Sequence, residues 1–371
     1  MTNEGTHCIS PPQKSRFLSI IRLSIILLIG IVLSSAVSFG AFAQDLPKMN
    51  FKIVGYHSTV AISPKVELPF WREHIPRVSK GAITADVTPL DHMGIDEKTM
   101  LRLLRQGVMD FAMMDISKMG GDDPRFEGVD LAGLTLVQDK ARAACDAYRQ
   151  VLDRQMQKNW GSKLMAFGSN PPQVFWCREV ISGLNDLKGK KIRVFNPSMR
   201  DLLSGINATA VSMAFAEVVP ALNQGVVDCA VTGSLSGNTA GWPEVTKSLY
   251  PMSVGWSIIV FAANQKNWDR LDPRVKSFLL EQFKYFEDEM WNLNRKATAE
   301  AENCNTNKQP CTLGKPANMT IVPVKPEELE LHKKLVEGSV LAGWAKRCGA
   351  DCAKEWNDTV GKTLGLTAPV K

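Results

Sequence analysis

Apolar and polar positions along the chain switch repeatedly between the period of a strand and the period of a helix. Between residues 188 and 232, Ile192-Arg193-Val194 is a short β-branched run that predicts a strand. Asn196-Pro197 marks a turn. Met199, Leu202, Leu203 and Ile206 then recur at helical spacing, with Gly205 near the end of the run. Ala210-Val211 predicts another short strand. Phe215, Val218, Val219 and Leu222 predict a second helix, kinked by Pro220 and stopped by Gly225. Residues 226–231 predict a third strand. The order strand, helix, strand, helix, strand is a βαβαβ unit, and such units bind ligands beyond the carboxyl ends of their strands.

A second unit precedes it. Residues 49–56 predict a strand running into Tyr56-His57-Ser58-Thr59, and residues 68–78 a helix that tolerates Pro69 near its start. Residues 83–88 alternate strictly as a strand. Asp96 caps a helix carrying Met100, Leu101, Leu103 and Leu104, which Gly107 closes, and residues 108–114 predict a third strand. The two units share a segment: residues 104–112 read LRQGVMDFA and residues 222–230 read LNQGVVDCA. In each, a helix end, a glycine suited to a left-handed cap and an aspartate at the turn lead into a buried strand. Two similar α/β lobes that close on a cleft like a hinge are the expectation. Residues 174–178 predict a strand crossing into the second lobe, and residues 256–263 one that crosses back. A long helix is expected from Pro273 to about Glu302, a late strand at 319–324, and terminal helices at 327–344 and 353–364.

Length fits this reading, because 371 residues exceed one ordinary core and suit about two domains. Residues 1–43 stand apart. Lys14, Arg16 and Arg22 precede an apolar run to Phe42 and a small-residue site at Ala41-Phe42-Ala43, the pattern of a cleaved signal peptide. An uncleaved anchor is the alternative. The mature chain is expected to begin near Gln44, to be exported, and not to span a membrane, since no other run approaches ~20 apolar residues. The chain carries a formal net charge of +6, of which the leader contributes two units. Such a mild excess without charge runs argues against a nucleic-acid partner.

Of the eight cysteines, Cys304 and Cys311 bracket one polar loop, and Cys348 and Cys352 bracket Gly349-Ala350-Asp351. These spacings predict disulfides in an oxidising compartment, local or cross-paired. Cys145, on an amphipathic helix, and Cys177 and Cys229, on strands, read as buried free thiols. The five histidines make no metal-ligand pattern. Gly233-Ser234-Leu235-Ser236-Gly237 has leucine where a nucleophile elbow needs serine. The segment 183–191 has the wrong spacing for a phosphate-binding loop, and no GxGxxG opens either unit. No catalytic residue, metal or cofactor is therefore assigned.

Several segments carry a resemblance: Gly94-Ile95-Asp96-Glu97, the LLRQGVMD segment at 103–110, DLKGKKIRV at 186–194, MAFAEV at 213–218 and QGVVD at 224–228. Together, and in this order, they resemble the extracytoplasmic solute-binding proteins of TRAP transporters, the DctP-like family. The resemblance implies a two-lobe α/β fold of the periplasmic-binding-protein type with a long helix spanning both lobes. Lobe 1 would comprise residues 44–172 and 258–300, and lobe 2 residues 173–257 and 301–371. It implies a periplasmic receptor, not an enzyme, that captures a small organic acid and delivers it to a membrane permease. An exported sensory binding protein, or an enzyme acting on a small carboxylic acid, remains the alternative.

The family's carboxylate-clamping arginine aligns with Arg193, and a guanidinium suits that task because it can donate two parallel hydrogen bonds. A structural salt bridge is the competing reading of Arg193. By the same resemblance, Asn196 and Phe215 match pocket positions of sialic-acid-binding relatives, and Gln173 falls where those have a second arginine. His57 falls at a polar position after the first strand, and Asp115 at an acid after the third. Thr232 stands in place of the asparagine usual beyond the VD turn. Gln173 and Thr232 favour a small or partly apolar monocarboxylate over sialic acid. Trp242, Tyr250 and Trp256 read as core side chains rather than cleft covers.

Overall fold

The computed structural model describes residues 46–370. The expected leader at 1–43 lies outside the described residues. The strands are β1 (Met49–Gly55), β2 (Ile83–Pro89), β3 (Phe111–Asp115), β4 (Ser162–Ser169), β5 (Gln173–Cys177), β6 (Lys191–Val194), β7 (Thr209–Ser212), β8 (Cys229–Gly233), β9 (Ser248–Tyr250), β10 (Ile258–Asn264) and β11 (Thr320–Ile321). They form a five-stranded sheet in the order β2-β1-β3-β10-β4 and a six-stranded sheet in the order β11-β9-β5-β8-β6-β7. Two-lobe α/β architecture is therefore what the chain adopts.

The repeat is visible in the pairing. β1 pairs in parallel with β2 and β3, as β6 does with β7 and β8. An antiparallel strand then joins each third strand: β10 on β3, and β5 on β8. The chain thus enters the second sheet through β5 and returns to the first through β10, as the apolar runs predict. Both third strands begin later than their hydrophobicity suggests, at Phe111 and Cys229. Gly107 and Gly225, at φ 76° and 74°, turn the chain left-handed before each. The residues between glycine and strand belong to that turn.

The helix around Pro69 and Pro76 starts earlier than expected and is partly wound in wide turns. The Leu68 N–H reaches Ser63 O and the Ile75 N–H reaches Phe70 O. Proline lacks the N–H an α-turn requires, and wider winding absorbs its ring. Pro220 sits in the first turn of the Val218–Asn223 helix, where a missing N–H costs little, so it does not kink a longer helix.

One face of the first sheet packs aromatic rings: Phe111 stacks on Phe261 at 5.3 Å, and Trp71, Phe283 and Phe286 surround them. The helix Pro273–Asn305 supplies the last two and spans the molecule. Its Glu287 accepts from the Phe167 N–H on β4 at 2.8 Å, while Asn305 at its far end donates to Ser234 O beyond β8 at 2.8 Å. The terminal helices are fixed by indole donors: Trp344 Nε1 to Pro124 O and Trp356 Nε1 to Gly128 O, each 2.7 Å. Trp242, Tyr250 and Trp256 are buried, as read from the sequence.

Among the described residues three disulfides are present, and one corrects the sequence reading. Cys177 and Cys229 are bonded to each other rather than free. β5 and β8 run antiparallel with these residues directly opposite, and their Cα atoms are 4.1 Å apart. Strand periodicity gave each cysteine a buried place but not its partner 52 residues away. Cys304 pairs with Cys311 and Cys348 with Cys352, so the two loops are closed locally and not cross-linked. Cys145 is free and buried.

Candidate functional site

The carboxyl ends of β1, β3, β6 and β8 converge on one cavity between the sheets. It holds about 320 Å³ of space between protein atoms, counting solvent at its mouth. His57 follows β1, Asp115 ends β3, Arg193 lies on β6 and Thr232 on β8, and Phe215 comes after β7. Gln173, at the start of β5, completes the set. Six of the seven residues expected from the sequence thus share this wall. Asn196 is the exception. Its Oδ1 caps the Pro197–Gly205 helix at the Met199 N–H, 3.0 Å away, and its Nδ2 donates to Ser117 Oγ at 3.1 Å. It stands behind the cavity and ties β6 to the loop after β3.

Arg193 is 1% exposed. Its Nη1 donates to Val231 O at 2.8 Å and its Nε to Met213 O at 3.2 Å, so the guanidinium plane is fixed by backbone on either side. The Phe195 ring lies 5.3 Å from its central carbon. Among the described residues, no carboxylate lies within ion-pairing distance of it. The structural salt bridge that competed as an explanation is therefore not formed. Burial lowers its pKa from 12.5 to about 10, partly offset by the nearby charges of Asp115 and Glu97. At neutral pH it remains a cation.

A second charged group was not foreseen. Glu97, 6% exposed, accepts from Lys118 Nζ, from the Asp115 N–H at 2.6 Å, and lies 3.1 Å from His57 Nε2. Burial raises its pKa, yet Lys118 and His57 outweigh that and hold it at about 2. Lys118 also sits 5.7 Å from the Phe195 ring centre, so both cavity cations face the same aromatic ring. Asp115 accepts from Ser117 Oγ at 2.7 Å and from Ser257 Oγ at 2.5 Å. Burial and the Glu97 charge push its carboxyl upward against the pull of Lys118.

The remaining walls are shaped by hydrogen bonds and rings. Gln173 Nε2 donates to Pro171 O at 2.9 Å. Asn170 Nδ2 donates to the Tyr56 hydroxyl at 2.9 Å and to Ser257 Oγ at 3.1 Å. Phe215 stacks on Trp242 at 5.7 Å and leans on His57 at 5.5 Å. Sequence reasoning missed Tyr56, Lys118, Asn170, Phe195, Ser236 and Ser257, which also line the cavity. Tyr56 and Phe195 had a usable signal, since each immediately follows the strand end that leads into the site.

Residues 63–338 match the family described as bacterial extracellular solute-binding protein, family 7, DctP. The chain belongs to that family. A Haemophilus influenzae protein described as uncharacterized is 22% identical over 79% of this chain and 86% of its own length. A solute-binding protein of Albidiferax ferrireducens is 26% identical over 47% of this chain and 52% of its own. Among solved structures, a Bordetella pertussis extracytoplasmic solute receptor binding pyroglutamic acid superposes with a TM-score of 0.74 at 20% identity, covering 84% of this chain and 98% of that one. A TRAP periplasmic solute-binding protein from Desulfovibrio salexigens with bound orotic acid gives 0.75 at 18% identity, covering 86% and 99%. These likenesses bear on the fold, and they match the two sheets and long helix seen here. No helix among the described residues is long and apolar enough to cross a membrane.

Proposed function

We propose that this chain is the periplasmic receptor of a TRAP transporter, and that it holds a small monocarboxylate between the two lobes for delivery to a membrane permease. The carrying observation is Arg193: a buried guanidinium in the cleft, held in place by two carbonyls and paired with no carboxylate among the described residues. A buried cation gains most from an anion that arrives desolvated, and its free edge suits a carboxylate. The charge inventory favours a single negative charge. Lys118 is already paired with Glu97. A second carboxylate would therefore lack a free partner.

In this reading His57, Asp115, Gln173, Phe215 and Thr232 contact the acid, and Asn196 positions β6. The lobes are residues 44–172 with 258–300, and 173–257 with 301–371. Residues 1–43 serve as the cleaved export signal. Support comes from family membership and from related receptors whose bound acids are pyroglutamic acid, orotic acid and galactonate. A thermal-shift screen with such monocarboxylates tests it. A ligand at a hundred times its dissociation constant adds about 2.7 kcal/mol to stability, so a cognate acid raises the melting temperature clearly. If neutral sugars or cations shift the melt and no carboxylate does, the reading is wrong.

A further inference from the structure

Two cations of the cavity share one aromatic ring. The Arg193 guanidinium carbon lies 5.3 Å from the Phe195 ring centre and Lys118 Nζ 5.7 Å from it, and all three residues line the cavity. Their partners differ. Arg193 donates to backbone carbonyls, whereas Lys118 Nζ donates to the Glu97 carboxylate.

Glu97 is not one of the lining residues, yet its carboxylate holds three that are. Oε2 meets Lys118 Nζ and lies 3.1 Å from His57 Nε2, and Oε1 accepts from the Asp115 N–H at 2.6 Å. Capped turns deliver both members of the ion pair. Asp96 accepts from the Lys98 N–H at 3.0 Å and starts the turn that carries Glu97; Asp115 accepts from the Ser117 N–H at 3.0 Å and starts the turn that carries Lys118. The Asp115 carboxylate also serves the Ser117 and Ser257 hydroxyls. Among the described residues, Glu97 is the one acid paired with Lys118. Withdrawing a lysine from water is costly, and a close carboxylate offsets that cost. The same carboxylate repels any second one brought to Lys118 from solvent, and such like-charge placement is a means of rejecting a wrong ligand.

We propose that Glu97 is the residue that restricts the cavity to a single carboxylate. It acts through Lys118 as a resident counter-anion, and without it Lys118 becomes a second carboxylate site beside Phe195. This rests on the single-carboxylate reading of Arg193 and assigns the selection to a side chain outside the cavity lining.

Calorimetric titration at about pH 8, where free diacids are fully ionised, tests this with matched pairs of acids. Succinate and its monoamide, and glutarate and its monoamide, have nearly the same shape and differ by one negative charge. We expect the parent to bind the better monoamide at least about tenfold more tightly than the matching diacid, and Glu97→Gln to reverse that order by gaining affinity for the diacid. Glu97→Asp keeps the charge and should keep the parent's order of preference. Lys118→Met leaves Glu97 uncompensated and should widen the preference for the monoamide at least about threefold, and it serves if Glu97→Gln does not fold. A purely structural Glu97 would instead weaken monoamide and diacid alike. An unchanged ratio in Glu97→Gln, or in Lys118→Met where only that variant folds, overturns the assignment while leaving the carboxylate reading of Arg193 standing. A parent that binds a diacid as tightly as its monoamide overturns the single-charge reading and this assignment with it. Absence of binding by all four acids to the parent overturns the carboxylate reading as well.

Discussion

Lys191 and Asp228 hold each other by two reciprocal bonds: the Lys191 N–H donates to Asp228 Oδ2 at 2.8 Å, and the Asp228 N–H donates to Lys191 O at 2.8 Å. Lys52 and Asp110 make the same pair in the other sheet, at 2.9 and 2.8 Å. The aspartate carbonyls repeat as well. Asp110 O accepts from Asn264 N at the end of β10, and Asp228 O from Arg178 N just past β5. The aspartate shared by LRQGVMDFA and LNQGVVDCA therefore joins first strand, third strand and crossing strand in each lobe. It sets the register that brings the carboxyl ends of those strands to the cavity.

Removing that carboxylate should loosen the lobe. One hydrogen bond of this sort contributes about 0.5–1.5 kcal/mol. Asp228→Ala is expected to lower stability by about 1 kcal/mol. Asp110→Ala should cost somewhat more, because Asp110 Oδ1 also accepts from Asn267 Nδ2 at 2.9 Å. Urea titrations of both variants measure this through the midpoint. Midpoints equal to the parent's would mean the repeated aspartate is dispensable to the fold.

These particulars explain why so much of the chain was legible. The 3.6 and 2.0 periods are local, so both βαβαβ units, the crossing strands and the long helix could be read from neighbouring residues. The strand pattern singled out Arg193, and the family resemblance added His57, Asp115 and Thr232 at the other strand ends. What escaped was set at long range. Glu97 and Lys118 meet 21 residues apart in sequence and find His57 40 residues from Glu97. Cys177 and Cys229 meet only through strand register. Asn196 is placed differently from the other six: a residue at a helix start serves as a cap as readily as a ligand contact, and here the cap uses its oxygen.

The disulfide pattern makes a chemical prediction. Seven cysteines follow the expected cleavage site, six of them paired, which leaves Cys145. Thiol titration of the oxidised protein should find one reactive group in denaturant and none in the native state, where Cys145 is buried. Reduction should expose all seven. Three or more thiols in denatured, unreduced protein would rule out at least one of the three bridges.

Glu67 should give stability a pH dependence. It is fully buried, with Oε2 accepting from the Tyr56 N–H at 2.9 Å and Oε1 unpartnered among the described residues. Burial raises its carboxyl from 4.5 to about 7 against the pull of that hydrogen bond. The folded state thus holds the proton more tightly than the unfolded state does. That advantage is complete below about pH 4.5, falls as pH rises and is lost above about pH 7, with a slope of at most ~1.4 kcal/mol per pH unit. Glu67→Gln cannot titrate. Its stability relative to the parent should climb between pH 4.5 and 7 and then level off. A constant difference across urea titrations at pH 4.5, 6, 7 and 8 would contradict the buried-acid account.

Arg193 carries the sharpest prediction. If its free edge holds the ligand carboxylate, Arg193→Ala leaves that carboxylate buried without a countercharge. The expected loss is about 2–5 kcal/mol, roughly thirty-fold to several thousand-fold in affinity. Arg193→Lys keeps the charge but loses both the planar fork and the paired bonds to Val231 O and Met213 O, so it should weaken binding by less. The ligand-free protein should melt within a few degrees of the parent in either variant. Alanine gives up two hydrogen bonds but also relieves the desolvation that lowers the guanidinium pKa to about 10. A guanidinium serving only to staple β6 to β8 would give the reverse, with a lower melting temperature in the free protein and affinity nearly unchanged. Calorimetric titration with the best acid from the screen, run beside melts of both variants, separates the two. Parent-like affinity in Arg193→Ala would remove Arg193 from the carboxylate site.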